Sequence, residues 1–554
     1  MESGMDVLRF FLPLRNPVGF GAADFIEIIL AILLVLLVLT SPPLIEPYAR
    51  KLAEHTGWSM LLLAVLPIAL RLALLPQYPI PSPNVSDDFS YLLLADTLRH
   101  LRLANPPHSL HQFFETFFVL QEPTYSSIFP LGQGIVLALG WSIFGHPWAG
   151  VALSIGALCA LCYWMLRAWT TPGWALVGGL LAVIQFGPLN QWMNSFWGGA
   201  ISACAGCLVF GALPRLREDA RTRDAALLGL GLALQLLTRP YEFIFLLASA
   251  VLFLLMFFRR FTRLMPAVLV LVPAIVLTLV QNKQVTGSWA TLPYMLSQYE
   301  YGVPATFTVQ PNPIPHRQLT REQQLDYEIQ SQTHGASVDT VATFWERLVS
   351  RIRFYRFFFL APLYLALPFF LPALRERKFL WVIFTLLLFS LGTNFYPYFY
   401  THYIAAVTCL FVLISVTALE RLSRFNLARV ILFLCAAHFV FWYGLHLSRS
   451  GPLDAAMTPY ETWDAINHDD PEGRIAINRQ LAALAGKQLV FVRYYPPHDF
   501  REWVHNAADI DAAQIVWARD LGPEENEKLR RYYTDRTVWV LEPDLRPPRL
   551  TPYP

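Results

Sequence analysis

Charge is what this sequence has least of. Charged residues make up 15% of its 554 positions against 55% hydrophobic, and the shortfall lies in long apolar runs. A soluble globular chain, with about a quarter of its residues charged, is excluded. The net charge of +2 provides no global field for nucleic acid, since the basic residues fall in short clusters between the runs. No glycine-rich nucleotide-binding loop is present. The first 24 residues carry Arg9 and Arg15 and lack a small-residue cleavage site after the first apolar stretch. No removable signal peptide is therefore expected, and the first span reads as an anchor. Cysteine is scarce too, and all six (Cys159, Cys162, Cys204, Cys207, Cys409, Cys435) lie within apolar runs. That excludes an extracellular disulfide framework. Two pairs spell C-x-x-C, but among Ala, Leu and Gly, with no further polar ligand nearby, they read as packing residues.

What is abundant is the apolar run itself. A backbone in lipid must satisfy its own hydrogen bonds, so segments this long are helices. The runs predict about a dozen spans, at 25–40, 58–75, 148–169, 173–187, 197–213, 225–237, 241–258, 264–280, 354–374, 379–391, 404–419 and 430–445. The connections 214–224 (PRLREDARTRD), 259–263 (RRFTR), 375–378 (RERK) and 420–429 (ERLSRFNLAR) hold most of the short-loop arginines. By the positive-inside rule they are cytoplasmic, and alternation places Arg50 and Lys51 with them. Segments 76–147, 281–353, 394–403 and the tail after 445 then lie outside. This holds only if 130–144 does not cross, so that stretch reads as a juxtamembrane helix at the interface.

The tail changes character. Residues 451–554 have charged residues, few long apolar runs, and the short stretches KQLVFVRY, AQIVWA and TVWVLE. These predict three strands, with a helix over 524–533 between the last two, and hence a small α/β domain outside the membrane. Residues 1–450 form the membrane part. Its outer loop 281–353 has five prolines followed by REQQLDYEIQ, which reads as helical. Loops this long usually serve function, and this one is suited to cover a pocket, guide an acceptor or act as a static cap.

The first outer loop carries Ser86-Asp87-Asp88-Phe89-Ser90-Tyr91 directly after the second span. Ser86 suits a helix cap, with the carboxylates favoured by the helix N-terminus, and that structural reading needs no chemistry. Asp-Asp-x-x-Tyr (Asp87, Asp88, Tyr91) in this position also resembles the acidic motif of the GT-C glycosyltransferases. Within them it resembles the protein O-mannosyltransferases and lipid A aminoarabinose transferases, and the likeness spans about residues 58–450. It implies transfer of a sugar from a polyprenyl-phosphate carrier, with juxtamembrane helices in the first outer loop. It also implies Asp87 as catalytic acid/base, with Asp88 as its partner for orientation or cation binding. Those relatives often place a lysine before the prolines that open the juxtamembrane helix, where this chain reads Ser127-Ile128-Phe129-Pro130. Two adjacent carboxylates repel, so one pKa rises toward neutrality or a divalent cation, the one candidate cofactor, sits between Asp87 and Asp88.

A leaving phosphate needs positive charge at the outer face, and Arg71 and Arg239 are placed for it. Arg71 reads equally as a residue snorkelling to headgroups. Arg239, in Thr238-Arg239-Pro240-Tyr241-Glu242, departs from the positive-inside trend, with an ion pair to Glu242 as its structural alternative. Aromatic and amide residues gather at 190–197 and 394–403, where Asn194, Trp197, His402 and Tyr403 suit either an aromatic belt or a sugar pocket. His108, His111 and Glu115 would share a helical face as zinc ligands, although prolines precede them and no fourth ligand is visible; Tyr125 is a further polar residue of this loop. Asn84-Val85-Ser86 matches a glycosylation sequon.

The reading is a polytopic α-helical membrane protein of the cell envelope, GT-C-like, with a small α/β domain outside. The expected activity is inverting transfer from a lipid-linked sugar donor to a lipid, glycan or protein acceptor at the outer face. The rivals are a transporter or flippase, which would need polar residues at mid-depth and paired halves, and a non-catalytic GT-C-like binding protein.

Overall fold

The computed structural model describes residues 22–40, 46–83, 85–258, 260–335, 339–425, 427–448, 473–496, 498 and 501–554. Among them, seven helices are long and apolar enough to cross a membrane: Thr56–Ala73, Trp148–Leu166, Ala200–Asp219, Pro240–Phe257, Phe261–Thr286, Thr401–Phe425 and Leu427–Gly444. The chain is an integral membrane protein. Burial sorts these helices. Trp148–Leu166, Ala200–Asp219 and Thr401–Phe425 are 72%, 89% and 94% buried and form the centre, whereas Phe261–Thr286, only 17% buried, lies at the perimeter.

Other expected spans are shorter helices. Pro172–Phe186, Thr222–Thr238 and Arg377–Thr393 have 15, 17 and 17 residues. At about 1.5 Å per residue the longer two reach about 26 Å, less than the roughly 30 Å hydrocarbon core. The stretch 354–374 is not one α-helical span. It is a succession of 3-10 turns, Arg353–Phe358, Ala361–Leu365 and Leu367–Arg375. Pro362, Pro368 and Pro372 remove the amides an α-helix would need there, a constraint that apolarity alone conceals.

The two ends of the bundle differ in chemistry. At one end the basic connections meet: Arg167 donates to the Ala53 carbonyl (3.2 Å) and the Thr56 hydroxyl (3.0 Å), and Arg421 pairs with Glu376 (3.4 Å). Arg429 lies 3.7 Å from Glu46 at the same end. The opposite end holds the long loops and the C-terminal domain. Helix Leu131–Phe144 has both termini there. Phe129 and Leu131 open onto a cavity, and Trp148, just past its other end, donates from its indole to the Met193 carbonyl at 2.8 Å. Gly145, in the left-handed region at φ 77°, ends that helix.

Beyond residue 473 the chain forms a four-stranded sheet in the order Ile515–Arg519, Lys487–Val492, Arg536–Glu542, Arg549–Pro552. The first three strands are parallel and correspond to the three expected ones, with helix Pro523–Tyr532 between the last two of them. The fourth pairs antiparallel at the edge. Alternation fixes the docking. Leu489, Phe491, Val516 and Ala518 pack on Phe113, Phe114 and Tyr125 of the first outer loop, while Val490, Val492 and Trp517 pack on Ile477, Leu481 and Trp503.

Close approach at the centre is testable. A Cβ on Gly206 would lie 1.7 Å from the Ala406 carbonyl oxygen, where Ala200–Asp219 crosses the Thr401–Val407 segment. Gly206→Ala is expected to lower the apparent melting temperature in detergent, at a steric cost of about 1–3 kcal/mol. Gly444→Ala, which meets nothing within 4 Å, should not lower it.

Candidate active site

Helix Ser86–Arg99 starts at Ser86, with Val85 extended before it, so Ser86 is its first residue and not its cap. Successive helix residues point about 100° apart, so two adjacent carboxylates cannot address one target. Asp88 turns inward: its Oδ1 accepts from the Phe196 amide (2.8 Å) and its Oδ2 from the Val85 amide (3.4 Å). Asp87 faces a cavity of about 780 Å³, within the range of ligand pockets. Tyr91, one turn further on, lines the same cavity and stacks on Phe129 with ring centroids 4.3 Å apart. Burial first, then the neighbouring Asp88, pushes the Asp87 carboxyl up to about 7, with Arg239 pulling the other way.

Arg239 owes its place to Pro240. Proline cannot continue the helix Thr222–Thr238 and disfavours the helical region for the residue before it, and Arg239 adopts φ −142°, ψ 80° between two helices. Its guanidinium lies over the Tyr403 ring, 5.0 Å from the centroid. Glu242 lines the cavity as well, yet among the described residues Arg239 makes no ion pair within 4 Å. Among the described residues, Arg239 is the sole guanidinium in the lining, which holds no lysine; Ile128 and Phe129 form the wall ahead of Pro130. Opposite in character is an aromatic wall. Trp197 meets His402 edge-on at 4.8 Å and Tyr400 at 5.2 Å, and His402 lies 4.6 Å from Tyr403.

The long loop closes the cavity with residues that the sequence reading passed over. Asp326 and Gln330 on helix Arg321–His334 line it, as do Gln298 and Tyr294 on helix Pro293–Tyr301. Burial pushes the Asp326 carboxyl up to about 6, opposed by the hydrogen bond from Gln330. This helix buries Gln323, Gln330 and His334 while Ile329 is 46% exposed. Hydrophobic periodicity thus points to the wrong face, and no simple signal marks Asp326. Tyr396, also in the lining, shares a hydrogen bond with Tyr294 (2.6 Å).

Of the ten residues singled out in the sequence for catalysis or substrate binding, seven meet in the cavity: Asp87, Tyr91, Trp197, Arg239, Glu242, His402 and Tyr403. The other three stand behind its wall. Arg71 is fully buried and donates to Asn194 Oδ1 (2.8 Å) and to the Tyr78 and Pro79 carbonyls (3.1 and 3.0 Å). Asn194 donates onward to the Pro188 and Asn190 carbonyls, both at 2.9 Å. Arg71 therefore neither snorkels nor faces the cavity, and Asn194 is a hinge of the loop wall.

The His108, His111, Glu115 zinc set is not assembled. His108 faces Asp511 (3.4 Å), while Arg317 pairs with Glu115 (2.5 Å) and lies 3.0 Å from His111. Among the described residues no group of three potential ligands comes together. The 111–114 stretch is a 3-10 turn, in which the i, i+4 spacing of an α-helix does not hold. Tyr125 donates to the Asn506 carbonyl (3.2 Å), joining the loop to the C-terminal domain. The cysteines are all buried and free, and Asn84 of the sequon lies outside the described residues.

No family model and no curated protein matches the sequence. Among solved structures, ArnT from Cupriavidus metallidurans in the apo state is similar at a TM-score of 0.49, with 12% identity over 88% of this chain and 93% of that one. The same protein bound to undecaprenyl phosphate gives 0.49 and 11% over the same shares. The apo oligosaccharyltransferase of Archaeoglobus fulgidus gives 0.38 and 12%, over 88% of this chain and 69% of that one.

The raised carboxylates set the sign of a pH effect. A carboxyl whose pKa is higher folded than unfolded binds more protons in the native state, so its contribution is fully present below its ordinary value near about 4 and lost as pH rises through the folded value. Through Asp87 and Asp326, the apparent melting temperature is expected to fall from about pH 5 to about pH 8, and Asp87→Asn to flatten that fall. Asp88→Ala, which orphans two amides, is expected instead to cost about 1–3 kcal/mol across the range. Thermal melts of the three proteins in one buffer series would check both.

Proposed function

We propose that this protein is a membrane glycosyltransferase that moves a sugar from a polyprenyl-phosphate carrier to an acceptor hydroxyl, with inversion and with Asp87 as the base. The observation that carries the reading is the meeting, in one cavity at the loop end of a helical membrane protein, of a carboxylate poised near neutrality and a guanidinium that makes no ion pair within 4 Å among the described residues, beside an aromatic wall. The Asp-Asp-x-x-Tyr motif, placed as in the GT-C enzymes, supports it.

The chemistry balances with these groups. The acceptor oxygen attacks the anomeric carbon as its proton passes to the Asp87 carboxylate, and the bond from that carbon to the phosphate oxygen breaks with its electron pair leaving on the lipid phosphate. Arg239 stabilises the charge gathering there. A single displacement inverts the anomeric centre. Trp197, Tyr403 and His402 offer faces for the sugar ring. The basic connections lie at the end away from the cavity, which supports a cytoplasmic side there and an outer side for the site and the C-terminal domain.

The test is transfer of radiolabelled sugar from a panel of polyprenyl-phosphate sugars into membranes containing the protein. Asp87→Asn is expected to lower turnover about a hundredfold or more. The rate should rise with pH through about 7 as Asp87 ionises. Arg239→Ala should lower kcat/KM more than Arg239→Lys, which keeps a point charge. No transfer across the panel would favour a transport or non-catalytic binding role.

A further inference from the structure

Asp326 has no structural work that explains its position. The N-terminus of helix Arg321–His334 is already closed by Thr320 and Gln323, each side chain accepting from the other's amide at 3.3 and 2.9 Å. Asp326 lies beyond that first turn and makes no ion pair among the described residues. Among the described residues its one hydrogen bond is from Gln330 Nε2 to Oδ2, at 2.8 Å. A carboxylate placed in a cavity wall with no cation beside it is costly to keep, and such groups concentrate at functional sites.

Its neighbour is oriented for a purpose. The Gln330 Oε1 accepts from the Ala305 amide (3.0 Å), which fixes the amide with its NH2 toward Asp326. The helix itself is held from outside: Arg519 of the C-terminal sheet pairs with Glu322, and Gln323 donates to Glu115 and to the Thr116 carbonyl, both at 3.3 Å. A carboxylate and an amide fixed side by side present acceptors and a donor at the spacing of adjacent hydroxyl groups. A phosphate is the wrong ligand for this wall, because it would meet a like charge while the lining's guanidinium stands elsewhere, at Arg239.

We propose that Asp326, held by Gln330, is a specificity-determining residue that reads hydroxyl groups of the transferred sugar, from a different wall of the cavity than Asp87. The inference rests on the glycosyltransferase reading above. Phosphate at Arg239 and hydroxyls at Asp326 would orient the sugar with its anomeric carbon toward Asp87.

The test uses the full-length protein in proteoliposomes, with the polyprenyl-phosphate sugar that it transfers and the mono-deoxy analogues of that donor. Asp326→Leu is expected to raise KM for the donor about tenfold or more, with a smaller change in kcat. It should also erase discrimination against one deoxy analogue, a selectivity that a merely structural residue would not carry. Asp326→Asn keeps the shape of the wall and part of its hydrogen bonding, and should fall between the two, which controls for folding. Transfer by the unaltered protein together with undiminished discrimination in both variants would overturn this inference and leave the enzyme standing. No transfer by the unaltered protein from any donor would overturn both.

Discussion

The backbone of Phe196 is the knot on which the cavity depends. Its N–H donates to Asp88 on the motif helix (2.8 Å), and its carbonyl accepts from Gln133 on helix Leu131–Phe144 (2.6 Å). One residue of an irregular loop thus joins two helices that sequence alone would treat as separate features of an outer loop. Both contacts are buried, where an unmade hydrogen bond is expensive, so the two helices and the loop cannot shift independently. The next residue, Trp197, is then delivered into the cavity, and the carboxylate before Asp88 is turned toward it. Behind the knot, Arg71 and Asn194 repeat the device with loop carbonyls, and this second layer sets where the first can lie.

The charge balance of the cavity follows from the same geometry. Three carboxyl groups, Asp87, Glu242 and Asp326, face one guanidinium. Burial in this wall pushes both Asp87 and Asp326 up, and Asp88 adds to the shift of Asp87. Arg239 favours the ionised Asp87, as does a hydrogen bond from the Asp87 backbone. An anionic group arriving at Arg239 would offset that influence and raise the carboxyl further, making it a stronger base with a smaller ionised fraction. Anion binding and proton uptake are therefore coupled in this cavity.

What was legible in the sequence is what a short-range rule can read. Long apolar runs mark most helices of the bundle, short apolar runs mark Lys487–Val492 and Ile515–Arg519, and an acidic motif after an early span marks Asp87. Each failure has a specific cause. The 354–374 run satisfies a hydropathy rule while its prolines forbid the hydrogen bonds. Edge strand Arg549–Pro552 is short and proline-flanked and is created by its pairing with Arg536–Glu542. Arg71 looks like a headgroup anchor until Tyr78, Pro79 and Asn194 fold back onto it. Asp326 is hidden by a helix that buries its polar stripe, a reversal that only a polar cavity on the inner side makes favourable.

The C-terminal domain gains its meaning from the faces it no longer has free. One side of its sheet is spent on Phe113, Phe114 and Tyr125 of the first outer loop. From the same domain His505 stacks on Phe89 at 3.8 Å, and the Arg474 guanidinium lies over that ring, 4.6 Å from its centroid. Phe89 is two residues from Asp87, and Arg519 grips the helix that carries Asp326. The domain therefore contacts the elements that carry two walls of the cavity. An acceptor approaching over this end would meet walls already fixed relative to each other, which lowers the ordering cost of assembling the site around it.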